Sequence, residues 1–131
     1  MSRTLASAKK AGATFEREVA DYLKTVLGDA RIDRRVKTGA NDKGDIAALH
    51  MSTGGRVVME CKNVKRDALP AWIREAEVER VNDGAFIGVV CHKRHRVADP
   101  GLSYVSMTLD TFATLLRGEP LGNTYSDGHI S

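Results

Sequence analysis

The feature that most restricts the fold of this chain is an apolar run at residues 84–92, which reads Ala-Phe-Ile-Gly-Val-Val-Cys between Gly84 and His92. A run without polar alternation is typical of a strand that is covered on both faces. It follows a predicted strand at residues 56–64 and a predicted helix at residues 67–81. This strand–helix–strand crossover predicts a sheet with helices packed on it.

The remaining segments add a helix and a hairpin before this unit, and a strand and a helix after it. Apolar residues at spacings of three and four predict a first helix over residues 14–27, which Gly28 ends. The other predicted elements are strands over residues 30–36, 45–50 and 104–109 and a last helix over residues 110–117. The sequence therefore predicts an α/β fold with a mixed five-stranded sheet flanked by helices, in the order α-β-β-β-α-β-β-α.

A length of 131 residues, of which 42% are hydrophobic, fits one domain, residues 1–131, with one core. Residues 1–11 are expected to be frayed, and residues 119–131 are expected to form a flexible tail. The two cysteines, Cys61 and Cys91, lie in apolar runs, which argues against a disulfide-stapled secreted protein. We expect no signal peptide, because residues 1–10 contain no apolar stretch of signal-peptide length. We expect no membrane partner, because no stretch approaches the ~20 apolar residues of a membrane span.

Charged residues interrupt the strand predicted at residues 56–64. Side chains alternate along a strand, so Glu60 and Lys62 share one face. In the hairpin, Asp45 lies opposite Glu60 or opposite Lys62, depending on where the loop is centred, and either register puts it on their face. Unpaired buried charge is costly, so this patch indicates either a plain cross-strand salt bridge or a functional site.

A functional site of this composition suits Mg²⁺. The carboxylates of Asp45 and Glu60 provide the hard oxygen ligands that Mg²⁺ takes together with waters and phosphate oxygens, and the backbone carbonyl of Cys61 could add another. The cation would neutralise a phosphate and lower the pKa of a bound water. Lys62 would orient that water or stabilise the charge that develops on the phosphate.

Glu16 is a fourth candidate, both as a catalytic residue and as a further metal ligand. On a helical wheel of ~100° per residue it lies beside the apolar stripe of the first helix, whereas Arg17 and Asp21 lie on the opposite face. Glu18 lies at the other edge of the stripe, so Glu16 is the better placed to reach the sheet. The alternative is that both glutamates lie there only because acids are favoured near the positive, N-terminal end of the helix dipole.

Together these residues resemble the PD-(D/E)xK nuclease superfamily, and more closely its small Holliday junction resolvases of the archaeal and phage kind. The resemblance runs over residues 12–96. Glu16 resembles the catalytic glutamate of the family's opening helix. The segment Gly44-Asp45-Ile46 resembles its metal-binding aspartate, and Glu60-Cys61-Lys62 resembles its E-x-K motif.

The resemblance implies a restriction-endonuclease-like core with Glu16, Asp45, Glu60 and Lys62 as catalytic residues. Its implied cofactor is Mg²⁺, for which Mn²⁺ substitutes, and no organic cofactor is expected. Because resolvases cut two symmetric strands, the resemblance also implies a homodimer that binds branched DNA. The second helix has no clear Gln, where many relatives have one, and instead offers three acids, Glu75, Glu77 and Glu79. This departure leaves the subfamily and the DNA substrate open.

Basic residues flank the predicted site. The net charge is only +3, so these residues must be clustered if they are to bind an anionic partner. The candidate phosphate contacts are Arg34, Arg35, Lys37, Thr38, Lys43, Lys65, Arg66, Lys93, Arg94 and Arg96. Such contacts supply most of the sequence-independent affinity for DNA. The alternative for each of them is ordinary solvated loop charge.

The predicted function is that of a Mg²⁺-dependent crossover junction endonuclease in DNA recombination and repair. Its expected location is the cytoplasm of a prokaryotic cell or of a phage-infected host. Two alternatives remain: another nuclease of the superfamily that acts on duplex, end or flap DNA, and a DNA-binding module with a decayed site. The intact Asp45, Glu60 and Lys62 argue against the second alternative.

Overall fold

The computed structural model describes residues 4–36 and 42–120. The helices are α1 (Leu5–Leu27), α2 (Leu69–Asp83) and α3 (Leu109–Arg117), and the strands are β1 (Asp33–Arg34), β2 (Ile46–Ala47), β3 (Val57–Lys62), β4 (Ile87–His92) and β5 (Tyr104–Ser106). Apart from a short 3₁₀ turn before β5, their order is the predicted one, and the α/β class is confirmed. Lys37, Thr38 and residues 121–131 of the predicted tail lie outside the described residues.

The strands form two sheets, so the prediction of a single five-stranded sheet is wrong. β1 pairs antiparallel with β2, while β3, β4 and β5 form a second sheet in which β4 runs parallel to β3 and antiparallel to β5. In the hairpin, the Asp45 amide donates to the Met59 carbonyl at 2.8 Å. The Val57 amide donates to the Leu49 carbonyl at 2.9 Å. Residues 45–49 therefore face the shorter stretch of residues 57–59. Ala48, at a φ of 67°, lies in the resulting bulge, which interrupts the ladder between β2 and β3.

Helix α1 begins at Leu5 rather than at the predicted residue 14. The cause is a cap: the Thr4 hydroxyl oxygen accepts a hydrogen bond from the Ser7 amide at 3.0 Å, which satisfies a donor of the first turn. Residues 5–11, which the sequence predicts to be frayed, therefore form the first turns of this helix. No helix within the described ranges is both long and apolar enough to cross a bilayer.

The three-stranded sheet carries a helix on each face. The main core lies between α1 and one face, and its members include Phe15, Val19, Met59 and Cys61. A smaller cluster lies between α2 and the other face, and it contains Trp72, Ala76 and Val90. Gly88 lets α2 approach β4 closely, because a Cβ at that position would lie 2.6 Å from the Ala76 carbonyl oxygen. Since side chains alternate along β3, Glu60 and Lys62 point towards α2.

Candidate functional site

The charged face of β3 meets the carboxylates of α2. Glu60 is only 5% exposed, and its Oε1 lies 3.6 Å from Nζ of Lys62. The same Nζ lies 2.8 Å from Oε1 of Glu75. Lys62 therefore lies between two carboxylates, one from its own strand and one from the helix that covers the strand.

Asp45 is held against the backbone of β3. It is buried, and its Oδ2 accepts a hydrogen bond from the Cys61 amide at 2.7 Å. Neither of the two predicted registers is realised, because the bulge at Ala48 shifts the pairing of the two strands. Gly44, at a φ of 92°, makes the approach possible, since a Cβ there would lie 2.9 Å from Cγ1 of Val58. The orientation of the Asp45 carboxylate is thus fixed by the strand that carries Glu60.

Three carboxylates come together at Glu60. Ligand oxygens of Asp42, Glu60 and Glu79 all lie within 4.8 Å of one another. Glu79 is 1% exposed. Both of its carboxylate oxygens, and Oε2 of Glu60, accept no hydrogen bond from an N–H or hydroxyl group of the described residues. Buried oxygens without donors fit a divalent cation, which would be their partner.

Sequence reasoning missed two members of this acid group, Asp42 and Glu79. Helix α2 buries Trp72, Ala76 and Glu79, which follow one another at spacings of four and three. An acid on the buried stripe of a helix is the sequence signal that would have identified Glu79. Asp42 had no comparable signal in the sequence. Its place comes from folding, because its carbonyl accepts a hydrogen bond from the Asn82 side chain at 3.0 Å.

The electrostatics of the site follow from burial. Burial is the largest cause of the raised pKa of Glu60, followed by a hydrogen bond shared with Glu79 and by the charge of Asp45. Burial also raises the pKa of Glu79, to about 7. Burial alone would lower the pKa of Lys62, but its hydrogen bond with Glu75 and the surrounding carboxylates outweigh burial, so this pKa is raised. Without a cation, the raised pKa values favour a proton shared by the two buried glutamates near neutral pH.

This acid pair predicts how stability depends on pH. Folding raises both glutamate pKa values above the ordinary 4.5, so above that pH the folded chain binds more protons than the unfolded chain, and stability falls as the pH rises. In EDTA, we expect the free energy of unfolding to fall by on the order of 1 kcal/mol per pH unit, first from about pH 5 to about pH 7, where Glu79 loses its proton, and then on towards about pH 10, where Glu60 loses its own. Urea unfolding across this range measures the drop. Glu79→Gln should reduce it, and an unchanged slope in that variant would contradict the assignment.

Glu16 is half-buried on α1 and is not a member of the acid group. Its Oε1 accepts hydrogen bonds from Nε and Nη2 of Arg34, each at 3.1 Å. The structure therefore places Glu16 in an ion pair with β1, and its part in catalysis stays a prediction. The role of the Cys61 carbonyl as a ligand is likewise a prediction. The buried Cys61 thiol faces the main core, and burial raises its pKa.

The residues predicted to contact phosphate lie at several places on the surface. One basic pocket of about 140 Å³ lies beyond the ends of β3 and β4, and its lining includes Lys65, Lys93, Arg94 and Arg96. Arg34 and Arg35 line a larger groove of about 720 Å³ beside Glu16. Lys43 and Arg66 are exposed. Six of the described candidates thus line these two depressions, whereas Lys43 and Arg66 line neither.

Comparisons of this chain with protein-family models, with curated proteins and with solved structures find no match. The chemistry of the site therefore rests on its own residues. They provide an acid group suited to a divalent cation, an ammonium beside it, and basic depressions nearby.

Proposed function

We propose that this chain is a Mg²⁺-dependent endodeoxyribonuclease that cuts four-way DNA junctions as a homodimer, with Mn²⁺ able to replace Mg²⁺. The observation that carries the proposal is the acid group of Asp42, Glu60 and Glu79, with Lys62 beside it. Asp45 adds a fourth carboxylate against the same strand. The chain order of these motifs supports a restriction-endonuclease-like core of the PD-(D/E)xK kind.

A plain salt bridge does not account for this arrangement. Lys62 is the ammonium in contact with Glu60 and Glu75, while Asp42 and Glu79 bring further carboxyl groups to the same place. The carboxyl groups outnumber the one ammonium, and the buried oxygens of Glu79 accept no hydrogen bond from an N–H group or an alcohol hydroxyl of the described residues. A divalent cation supplies both the missing charge and the missing partner.

Each residue of the site has a separate role in the proposed hydrolysis of a phosphodiester. When bound, Mg²⁺ neutralises the scissile phosphate and activates water for attack. Glu60 and Glu79 would hold the cation. Lys62 presents its ammonium to the charge that develops on the phosphate oxygens, and Glu75 positions that ammonium through the contact of 2.8 Å. Because Glu60 is buried, it would hold the cation in a fixed place relative to Lys62.

The basic pocket beyond β3 and β4 gives DNA a path to this site. In sheets with parallel strands, ligands bind outside the carboxyl ends of the strands, and β3 and β4 are parallel. Two of its cations are held in place: the Lys93 Nζ donates to the Val97 carbonyl at 2.9 Å, and the Arg94 guanidinium lies 4.6 Å from the ring centroid of Tyr104. Preorganised cations of this kind suit phosphate contacts.

A panel of DNA substrates tests the proposal. The protein is incubated with Mg²⁺ and an end-labelled four-way junction, Y-fork, linear duplex or single strand, and with EDTA as the control. We expect paired cuts in symmetric strands of the junction, at least about tenfold faster than cuts in linear duplex. Faster cutting of duplex or fork would instead identify another nuclease of the superfamily. Binding without cleavage in Mg²⁺ and in Mn²⁺ would identify a DNA-binding module with a decayed site.

The exposed apolar face of α3 supports the proposed homodimer. Leu109, Phe112 and Leu116 lie at spacings of three and four, so they share a face, and they are 80%, 44% and 72% exposed. The neighbouring β5 is the edge of its sheet and exposes Tyr104 and Val105. Apolar side chains gathered in this way mark an interaction surface, which we assign to a second copy of the chain.

Charge placed on this face is expected to separate the dimer. The double variant Phe112→Asp, Leu116→Asp should weaken dimerisation at least about 100-fold, because it buries unpaired carboxylates in the interface. Sedimentation equilibrium measures the change. Val26→Asp is the matched control, since Val26 is 55% exposed on α1. A monomeric natural chain, or a double variant that stays dimeric, would contradict the assignment.

A further inference from the structure

A further pocket, apart from the acid group and the two depressions described above, is lined by guanidinium groups. It has a volume of about 340 Å³ and lies between the hairpin and the end of α2. Its charged or titratable lining residues are Arg31, Arg35, His50, Arg56 and Asp83, and its apolar lining includes Leu49 and Val57. Phe, Tyr and Trp are absent from the described lining, so the pocket is not built to stack a base.

The charges of this pocket do not balance. Arg31 pairs with Asp29 at 2.9 Å, and Nε of Arg56 pairs with Asp83 at 3.1 Å. Nη2 of Arg35 lies 3.9 Å from that same Asp83 carboxylate, which is beyond hydrogen-bond distance. The buried Nε of Arg35 donates no hydrogen bond to any described residue. Three guanidinium groups thus meet two carboxylates, and Arg35 is the group left with an unused donor.

An oxyanion is the ligand that this arrangement fits. A buried guanidinium N–H needs an acceptor, and the planar fork of Arg matches the oxygens of phosphate. The pocket is also linked to the hairpin that carries Asp45 and Glu60. The Arg35 amide donates to the Asp45 carbonyl at 2.8 Å, and Val57 precedes Glu60 by three residues of β3, which is about 10 Å.

We propose that this pocket binds a phosphate group of the DNA strand that is cut at the acid group. The identity of the strand rests on the proposed function, whereas phosphate binding itself does not. The bound phosphate is either an internal phosphodiester or a terminal monoester. In both cases Arg35 contacts it directly and anchors the strand beside the site of cleavage.

The test uses the full chain in EDTA, with inorganic phosphate as the first probe. Binding is followed through the NMR amide signals of Leu49, His50 and Gly54. We expect saturable shifts at these amides, at least tenfold weaker binding in Arg35→Gln, and unchanged binding in Arg74→Gln, which removes an exposed charge of α2. If Arg35→Gln does not fold, Arg31→Gln, whose side chain is 72% exposed, replaces it and should also weaken binding.

Further probes identify the source of the phosphate. A mononucleotide 5′-phosphate that binds at least tenfold more tightly than a dinucleotide with one internal phosphodiester identifies a terminal phosphate, and equal binding identifies an internal one. Equal binding of acetate and phosphate would overturn the proposal, as would shifts that persist unchanged in the arginine variants. If phosphate binds here but no DNA is cut, the proposed function fails and the pocket assignment stands.

Discussion

Glu60→Gln is expected to abolish Mg²⁺-dependent cleavage of a four-way junction, with a rate loss of at least about 10³-fold. The amide keeps the shape of the buried side chain but lacks the charge that a divalent cation requires. Binding of the junction should be retained or become tighter, because carboxylates without a cation repel phosphate. Single-turnover cleavage and a gel-shift titration in EDTA measure the two effects separately.

Two further variants show whether the loss in Glu60→Gln comes from the metal site. Glu79→Gln should weaken Mg²⁺ binding in calorimetry, because one carboxylate oxygen of Glu79 lies within 4.8 Å of one oxygen each of Glu60 and Asp42. Glu77→Gln is the matched control on the same helix, since Glu77 is exposed and pairs with Arg80. Cleavage by Glu60→Gln within tenfold of the natural chain would contradict the proposed site. Thermal unfolding of each variant excludes a loss that arises from unfolding.

The order of the elements could be predicted because it depends on local signals. The apolar run that became β4 and the periodicity of α1 are both properties of neighbouring residues. The pairing of strands is not local. Ala48 gives no sequence signal for a positive φ, yet its conformation divides the predicted sheet in two. The start of α1 was missed for a different reason: the cap at Thr4 lies ahead of the apolar periodicity.

In the candidate site, too, the features that depend on neighbouring residues could be predicted and those that depend on tertiary packing could not. Alternation along β3 predicts that Glu60 and Lys62 share a face, and their contact of 3.6 Å confirms it. Asp42 and Glu79 come from a loop and from a helix, and only tertiary packing brings them to β3. The wheel argument for Glu16 correctly places it beside the apolar stripe, but its ion pair with Arg34 depends on where β1 lies. Sequence reasoning thus found the strand of the site, and folding added the helix that completes it.

Lys62→Ala is expected to slow cleavage by about 10²–10³-fold while Mg²⁺ affinity and junction binding change little. The ammonium stabilises charge that is present in the transition state and largely absent from the ground state, so its loss affects the rate of the chemical step. Single-turnover rates at saturating DNA and Mg²⁺ measure this effect. Addition of a small primary amine should restore part of the rate, which a merely structural role for Lys62 would not allow.

A variant of Glu75, the partner of Lys62 on α2, distinguishes a catalytic role from a positioning role. Glu75→Gln leaves the ammonium in place but weakens the contact of 2.8 Å that holds it, so we expect a loss of about tenfold and no rescue by amine. Lys10→Ala removes an exposed positive charge from α1 and should leave the rate unchanged. If Lys62→Ala cleaves as fast as Glu75→Gln, the ammonium only balances buried charge. The group that stabilises the transition state must then be sought among the arginines of the basic pocket beyond β3 and β4 or of the groove beside Glu16.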